Sequence, residues 1–514
     1  MNSNSKFTSL KLLIKLSPFF FLILFLLIFI NTSTAKNINN GETQNLGLKD
    51  TLQIGLKNAI LTALERNSTV TIQRLQPQIA NTFLKEQRAN FDPEFTASVS
   101  KSQTKLQRFL GSRPDPFEMT SDRSQYDAAL TETLPTGTTI SANASMSGSV
   151  SSIYSDQYSG AVGVTITQSL LQGFGIGVNL ANLRKANIDV EMSKLELKTV
   201  AEQVVADVEN AYWNLYLSGE EIKIQEKSLE LANQQLHESE ERVKVGKLAR
   251  LELAAVFAEV AARKEALIDA QSSYEQARLD FIFLLNPSRE NVWQVNPVLL
   301  NEPYIPVDSL TDISVHERLG LKFRADLLQA HLDLQKNELD ITMTKNGLLP
   351  KLDLFITLGR TTYARTFRDA LPDVMSPFYN INGGLSFAFP IPNRKNRSQL
   401  ARARYSHAQL ELSVSNMERL VQKDVRSAYI EALRSRQQIE ATKITRELQQ
   451  QKLKAEQEKF KVGKSTNYLV LQAQRDLIAS QIDEVRAKIS HLEALVNLHL
   501  MEGTLLERRG INAL

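Results

Sequence analysis

Cysteine is absent from all 514 residues. That excludes a disulfide scaffold, a thiolate metal site, a cysteine nucleophile and a lipidated cysteine anchor. Neither sign of charge is in surplus: 60 basic side chains face 57 acidic ones. A general nucleic-acid binder needs a cationic excess to neutralise phosphates, so no nucleic-acid partner is expected. Long apolar runs are missing beyond the N-terminus, and the mean hydropathy is −0.23, which argues against a polytopic α-helical membrane protein. A β-barrel stays open, because its strands alternate polar and apolar residues and escape hydropathy averages. The six histidines are scattered and form neither HExxH nor an obvious cluster. No nucleophile–base–acid set emerges either, so no enzyme and no cofactor are expected.

The one long apolar run lies in residues 1–35. Lys6, Lys11 and Lys15 precede an unbroken stretch from Phe19 to Ile30, and a small polar segment ends at Ala35. That order is a secretory signal, with cleavage expected after Ala35. Twelve apolar residues reach only about 18 Å as a helix, short of a ~30 Å hydrocarbon core. The alternative is an uncleaved anchor. Removal of the signal takes away three lysines and no acid, leaving 57 basic against 57 acidic side chains.

The remainder repeats. At a shift of 217 residues, Ala211-Tyr212 falls on Ala428-Tyr429, and Lys244-Val245-Gly246-Lys247 falls on Lys461-Val462-Gly463-Lys464. At a shift of 257, Phe91-Asp92-Pro93-Glu94-Phe95 falls on Leu348-Leu349-Pro350-Lys351-Leu352. The two registers differ by 40 residues (257 less 217), so the first copy carries a surplus of that size after Pro93. The predicted organisation is a signal (1–35), a first repeat (36–290), a linker (291–312), a second repeat (313–503) and a short C-terminal tail (504–514).

Each copy reads helix, strands, long helix, turn, returning helix. Val200, Val204, Val208, Ala211 and Leu215 mark one face of a helix predicted over 180–245, and proline is absent from 136 to 286. Such a helix spans on the order of 100 Å, which suggests a coiled coil or helical tube. Return helices are predicted over 251–285 and to about 500, with helices of some forty residues over 51–90 and 313–347. Stacked end to end, the shorter helices match the long ones in length. Period-2 alternation marks strands around 95–99, 162–166, 352–358 and 381–389. Two weaker candidates, 126–134 and 138–148, flank Pro135-Thr136-Gly137 inside the surplus. Strands with one apolar and one small or polar face suit a wall between lipid and water, or one layer of a soluble sandwich. Four or six strands cannot close a membrane barrel alone, since the smallest use about 8. Three chains would supply 12 or 18. Phe91, Tyr158, Phe174, Phe355 and Phe378 are candidates for interfacial girdles.

Taken together, the duplicated unit, Phe323-Arg324-Ala325-Asp326-Leu327 (similar to Arg-Pro-Asp-Leu), Gln168-Ser169-Leu170-Leu171-Gln172-Gly173 (similar to Gln-Pro-Leu-Leu-Arg-Gly) and the two lysine-valine-glycine tips resemble the TolC-like outer-membrane efflux protein family over about 48–503. The resemblance implies an α+β membrane protein: a shared trimeric antiparallel β-barrel in the outer-membrane lipid, continued through the periplasm by an α-helical coiled-coil barrel. It implies a homotrimer working with a periplasmic adaptor protein and an inner-membrane transporter. Val245, Gly246, Lys247, Val462, Gly463 and Lys464 would be the adaptor-contacting hairpin tips. In some members, acids six and nine positions after the second glycine constrict the tunnel. Leu469 and Gln472 stand there in this chain, and Glu252 holds the first-copy equivalent, so these three are the gate candidates. A periplasmic coiled-coil adaptor or a surface structural protein is the alternative.

Two motifs imitate nucleotide sites. Gly463-Lys464-Ser465 resembles the end of a P-loop, but Glu458 stands where that loop needs glycine and a long helix precedes it. Gly173-Phe174-Gly175-Ile176-Gly177 has Val178 at the last glycine position of a dinucleotide fingerprint, so a strand-to-helix joint is expected.

Overall fold

The computed structural model describes residues 51–109, 115–152, 155–246, 248–287, 292–305 and 310–511. The signal reading of residues 1–35 lies outside that range. In chain order the elements are β1 (Thr51–Ile54), α1 (Leu56–Arg66), α2 (Ser68–Gln73), α3 (Gln76–Ala89), β2 (Glu94–Arg108), β3 (Phe117–Thr133), β4 (Thr138–Ser151), β5 (Gln157–Ser169), α4 (Ile176–Asn179), α5 (Ala181–Lys244), α6 (Arg250–Leu285), β6 (Asn296–Leu299), α7 (Ile313–Phe323), α8 (Ala325–Asn346), β7 (Lys351–Ala364), β8 (Tyr379–Ala388), α9 (Arg394–Lys461), α10 (Asn467–Met501) and α11 (Leu505–Arg508).

Two helices form the spine. α5 has 64 residues and α9 has 68, about 96 and 102 Å at 1.5 Å per residue. Along α5 pack α3 near the strands and α6 farther out, while α8 and then α10 fill the space between α5 and α9. Among the described residues, four helices therefore lie abreast at each level. Ion pairs stitch these contacts: Lys185 to Asp340 at 2.9 Å joins α5 to α8, Arg486 to Glu221 at 2.9 Å joins α10 to α5, and Arg446 to Glu484 at 2.6 Å joins α9 to α10.

The shorter helices meet end to end through side chains that close their open carbonyls. In the first repeat, Asn67 Nδ2 donates to the Leu284 carbonyl at 3.0 Å, and Asn286 Nδ2 donates to the Arg66 carbonyl at 3.0 Å. In the second, Lys198 Nζ donates to the carbonyls of Phe323 (3.2 Å) and Gly503 (2.9 Å). Gly503 has φ +68°, and a Cβ there would lie 2.8 Å from the Phe323 oxygen, so this approach requires glycine.

These junctions correct the expected forty-residue helices. Residues 51–54 are a strand, paired in parallel with β6 from the segment expected to be only a linker. The helices then break at Asn67 and at Arg324, positions 257 apart, which is the register of the sequence repeat. Arg324 answers for the second break. Its guanidinium donates to Asp326 at 3.0 Å and to Asp424 of α9 at 3.0 Å, while Asp326 accepts from the Leu327 amide at 2.8 Å. The Arg-Ala-Asp-Leu motif is thus a structural clamp at a helix break.

The largest core cluster sits at this middle level and draws on α1, α5, α6, α10 and α11. Tyr212 is its centre, edge-on to Trp213 (5.1 Å between centroids) and Phe281 (5.8 Å), with its hydroxyl accepting from the Asn301 amide at 3.0 Å. Residues beyond the second repeat are built into the same core. Leu505 and Leu506 are buried, and Arg509 binds the fully buried Glu209 carboxylate through two contacts of 2.5 Å. Replacing Arg509 with alanine strands a buried carboxylate. We expect a cost of about 3 kcal/mol, the low end for breaking a buried pair because Arg509 keeps some contact with water. Denaturant unfolding of the detergent-solubilised protein measures it, and the Glu209→Gln/Arg509→Ala double variant should recover part of the loss.

Candidate channel wall and hairpin tips

Among the described residues, six antiparallel strands form one sheet in the order β2-β3-β4-β5-β7-β8. The surplus of the first repeat supplies β3 and β4, which stand in the middle of the sheet rather than outside it. Paired residues in an antiparallel sheet share a face. One row of partners runs Phe95, Leu130, Ala142, Val164, Leu358, Ile381, apolar on every strand. The neighbouring row runs Glu94, Thr131, Ser141, Thr165, Thr357, Asn382, polar on every strand. Hydroxyls bond along the polar face, Thr131 to Ser141 at 3.1 Å and Thr165 to Thr357 at 3.0 Å. The apolar face is open: Phe95 is 64%, Leu358 52% and Ile381 66% exposed. An apolar patch spread across six strands marks a surface that meets lipid or protein.

The aromatics sort by the same parity. Tyr158 lies on the apolar face, where Phe367 packs edge-on to it and to Tyr126, at 6.2 and 5.6 Å. Phe355 lies on the polar face with Thr357, and its ring covers Gly384 of β8, where a Cβ would sit 2.9 Å from ring carbon Cζ. Alternation alone puts it on the side away from an outer girdle.

Below the sheet, the turn of the β3–β4 hairpin locks onto the joint between β5 and α4. The Gly175 amide donates to the Thr136 carbonyl at 3.2 Å, and Ser169 to that of Gly137 at 3.1 Å. Asn179 Nδ2 donates to the carbonyls of Gly173 (2.8 Å) and Pro135 (3.1 Å). Gly173 and Gly175, at φ +84° and +95°, let the chain turn from strand to helix. The dinucleotide-like glycines are this joint.

At the far end, Gly246 (φ +71°) and Gly463 (φ +74°) terminate α5 and α9 in left-handed backbone. The Gly463 amide donates to the Phe460 carbonyl at 3.1 Å and the Lys464 amide to that of Lys459 at 2.8 Å, a helix C-cap rather than a phosphate loop. Val245, Val462 and Lys464 are exposed, and Lys247 lies outside the described residues. The two tips are neighbours: the Arg242 guanidinium lies 4.5 Å from the centre of the Phe460 ring. Glu252 is exposed in the first turn of α6, and Leu469 is exposed near the start of α10. Gln472 is tied to Asp476 at 3.1 Å, and Asp476 to Lys452 at 2.7 Å. The hydrogen bond from Lys452 holds the Asp476 carboxyl below its usual range. Glu252 sits on a different hairpin from the other two gate candidates. The groups that bridge the hairpins were not singled out in the sequence: Glu259 of α6 takes Arg263 at 2.5 Å and Arg475 of α10 at 3.4 Å. Their signal was weak, since each is one charge among many on a helix surface.

A sequence profile described as "Outer membrane efflux protein" matches residues 59–286 and 319–504. The chain belongs to the outer membrane efflux protein family. Among similar proteins is the pyoverdine export outer membrane protein OpmQ of Pseudomonas aeruginosa, 26% identical over 340 residues, covering 63% of this chain and 66% of that protein. The chain thus spans just under two thirds of that curated relative. The outer-membrane channel OprN superposes with a TM-score of 0.65 at 16% identity, covering 87% of this chain and 89% of the other. The Campylobacter jejuni CmeC outer membrane channel gives 0.64 at 15%, covering 88% and 86%. The fold is therefore the α+β fold of these efflux channels, long helices and internal duplication included.

The middle-level core of this efflux-family chain carries a titratable group poised near neutrality. Burial pushes the Glu202 carboxyl up to about 7, against the pull of Lys198, 3.8 Å away. Burial pushes the His499 imidazole down to about 4. The signs oppose each other. A carboxyl raised on folding adds stability at low pH that is lost as pH climbs from about 4.5 through 7, and a histidine lowered on folding costs stability below about 6.5. The two contributions offset each other between about pH 4.5 and 6.5, so Glu202→Gln should unmask the histidine, and its apparent Tm should rise with pH across that window more steeply than that of the unsubstituted protein. An unchanged profile would remove Glu202 from this role.

Proposed function

We propose that three copies of this chain close one β-barrel in the outer membrane and one helical tunnel below it, forming the passive exit duct of a tripartite efflux or type I secretion system. The observation that supports this best is the pair of adjacent rows, one apolar and one polar, that cross all six described strands. A soluble sandwich would cover its apolar face with a second layer. Here that face is exposed, and β2 and β8 are open edges that a neighbouring copy can pair. No catalytic step is assigned; the energy would come from an inner-membrane transporter. The periplasmic adaptor would grip the tips at Val245, Gly246, Lys247, Val462, Gly463 and Lys464, with Glu252, Leu469 and Gln472 lining the approach to the gate. Adaptor binding must favour the open arrangement differentially, or it would not shift the equilibrium. The name of the Pseudomonas relative makes pyoverdine the first cargo to test.

Purified trimers in planar bilayers should show discrete conductance steps, and trimers that never conduct would count against the duct. The Gly246→Trp/Gly463→Trp variant should form trimers and conduct, yet fail to support export in cells. Normal export by that variant would sink the assignment of the tips.

A further inference from the structure

The arcs of circumference that each chain contributes to the strand wall and to the helical tube can be compared. Four helices abreast, at 8–10 Å between axes, take about 32–40 Å of arc. Six strands at about 4.8 Å spacing, tilted by 35–45°, take about 35–41 Å. Four strands at that tilt take only about 23–27 Å. The β3–β4 hairpin, present in the first repeat and without a counterpart among the described residues of the second, supplies the difference.

We infer that β3 and β4 are lipid-facing wall strands and that the trimer closes with 18 strands (three chains of six), giving a membrane pore as wide as the tunnel beneath it. This rests on the trimeric duct proposed above. Two independent observations carry it, the parity of the rows and the anchoring of the lower turn. The apolar row passes through Leu130 of β3 and Ala142 of β4 without a break in phase, and the next runs Ala97, Ala128, Ala144 and Val162 before it meets Arg360 on β7. The polar row passes through Thr131 and Ser141 in the same way. A hairpin standing off the wall has no reason to keep that parity. Finally, its lower turn is bonded into the strand-to-helix joint, at the level where every wall strand must end: Ser169 and Gly175 donate to Gly137 and Thr136. Gly137 (φ +87°) approaches so closely that a Cβ would lie 2.2 Å from the Gly173 oxygen.

The consequence is bore. Eighteen strands at a tilt near 40° enclose a backbone diameter of about 36 Å, against about 24 Å for twelve. The lumen face of β4 is lined by small polar groups, among them Ser141, Asn143 and Ser145, while β3 places the longer Arg123, Gln125 and Asp127 on the same face. Cargo that fits the tunnel meets no waist at the membrane, so the duct suits bulky hydrated solutes or an exported polypeptide segment.

The absence of cysteine makes the test direct. Single cysteines are placed at Ala128, Ala142 and Ala144 (apolar rows of β3 and β4) and at Thr131, Ser141 and Ser145 (polar rows). Controls are Val164 and Ile356 outward, with Thr165 and Thr357 inward. Trimers in phosphatidylcholine liposomes are treated with a charged, membrane-impermeant maleimide. The inference expects labelling at least ten-fold faster on the polar rows than on the apolar rows of β3 and β4, matching the controls. Fast labelling at Ala128→Cys, Ala142→Cys and Ala144→Cys, with Val164→Cys and Ile356→Cys still protected, would place the hairpin outside the wall and leave a twelve-strand barrel. Fast labelling of the outward controls as well would overturn the membrane barrel itself, and this inference with it.

Discussion

A helix about 100 Å long cannot be buried by folding back on a compact core, and everything else in this chain answers that constraint. α5 and α9 carry only narrow apolar stripes, so they gain stability sideways, from neighbours that run beside them for their whole length. The chain supplies those neighbours in halves. α3 and α6 serve α5, and α8 and α10 fill the gap between the spines. Halved partners create exposed helix ends in the middle of the molecule, where water is scarce. Asn67, Asn286 and Lys198 close the carbonyls there, and Arg324 ties the second break to α9 through Asp424. The middle level thereby holds the largest core together with several buried ionisable side chains. The pairing of Glu209 with Arg509 and of His316 with Glu502 belongs to that level.

The strand end obeys a second constraint. In lipid every backbone donor and acceptor must find a protein partner, which strands achieve only in a closed sheet. One chain leaves two edges, so closure and lipid exposure both demand further copies. Family membership, fold and the exposed apolar rows converge on that requirement. The same logic gives the β3–β4 hairpin its importance, because strands and helices occupy different arcs and the ratio of their numbers sets whether the tube narrows.

Much of this was legible beforehand. The tip glycines, the proline-free stretch and the valine spacing located α5 and its return to within a residue or two, since helix period and helix termination are local properties. The duplication led to a second long helix expected over about 398–462 with a return to about 500, and α9 begins four residues earlier, at Arg394. The breaks at Asn67 and Arg324 were not anticipated: neither is a proline or a glycine, and although Asn67 accepts from the Thr69 amide and Asp326 from the Leu327 amide, each break also meets the end of another helix. β1 and β6 are four residues each and owe their existence to one another. Phe355 shows the limit of reading aromatics near strand ends, since its parity was available but its reason, covering Gly384, required the partner strand. The gate candidates rested on likeness alone. The contacts that join the hairpins, Glu259 with Arg475 and Arg242 with Phe460, link residues more than 200 positions apart.

The sequence by itself determined the periodicities: which segments are helix or strand, that one unit is written twice, and that no thiol or surplus charge is available for other chemistry. Those features depend on neighbours three or four residues away, or two in a strand, and they survive without a partner. Only the tertiary structure decided that the 40-residue surplus joins the sheet. Register across a sheet is a relation between strands, and the weak alternation of β3 and β4 acquires meaning only when Leu130 and Ala142 fall in line with Phe95, Val164, Leu358 and Ile381.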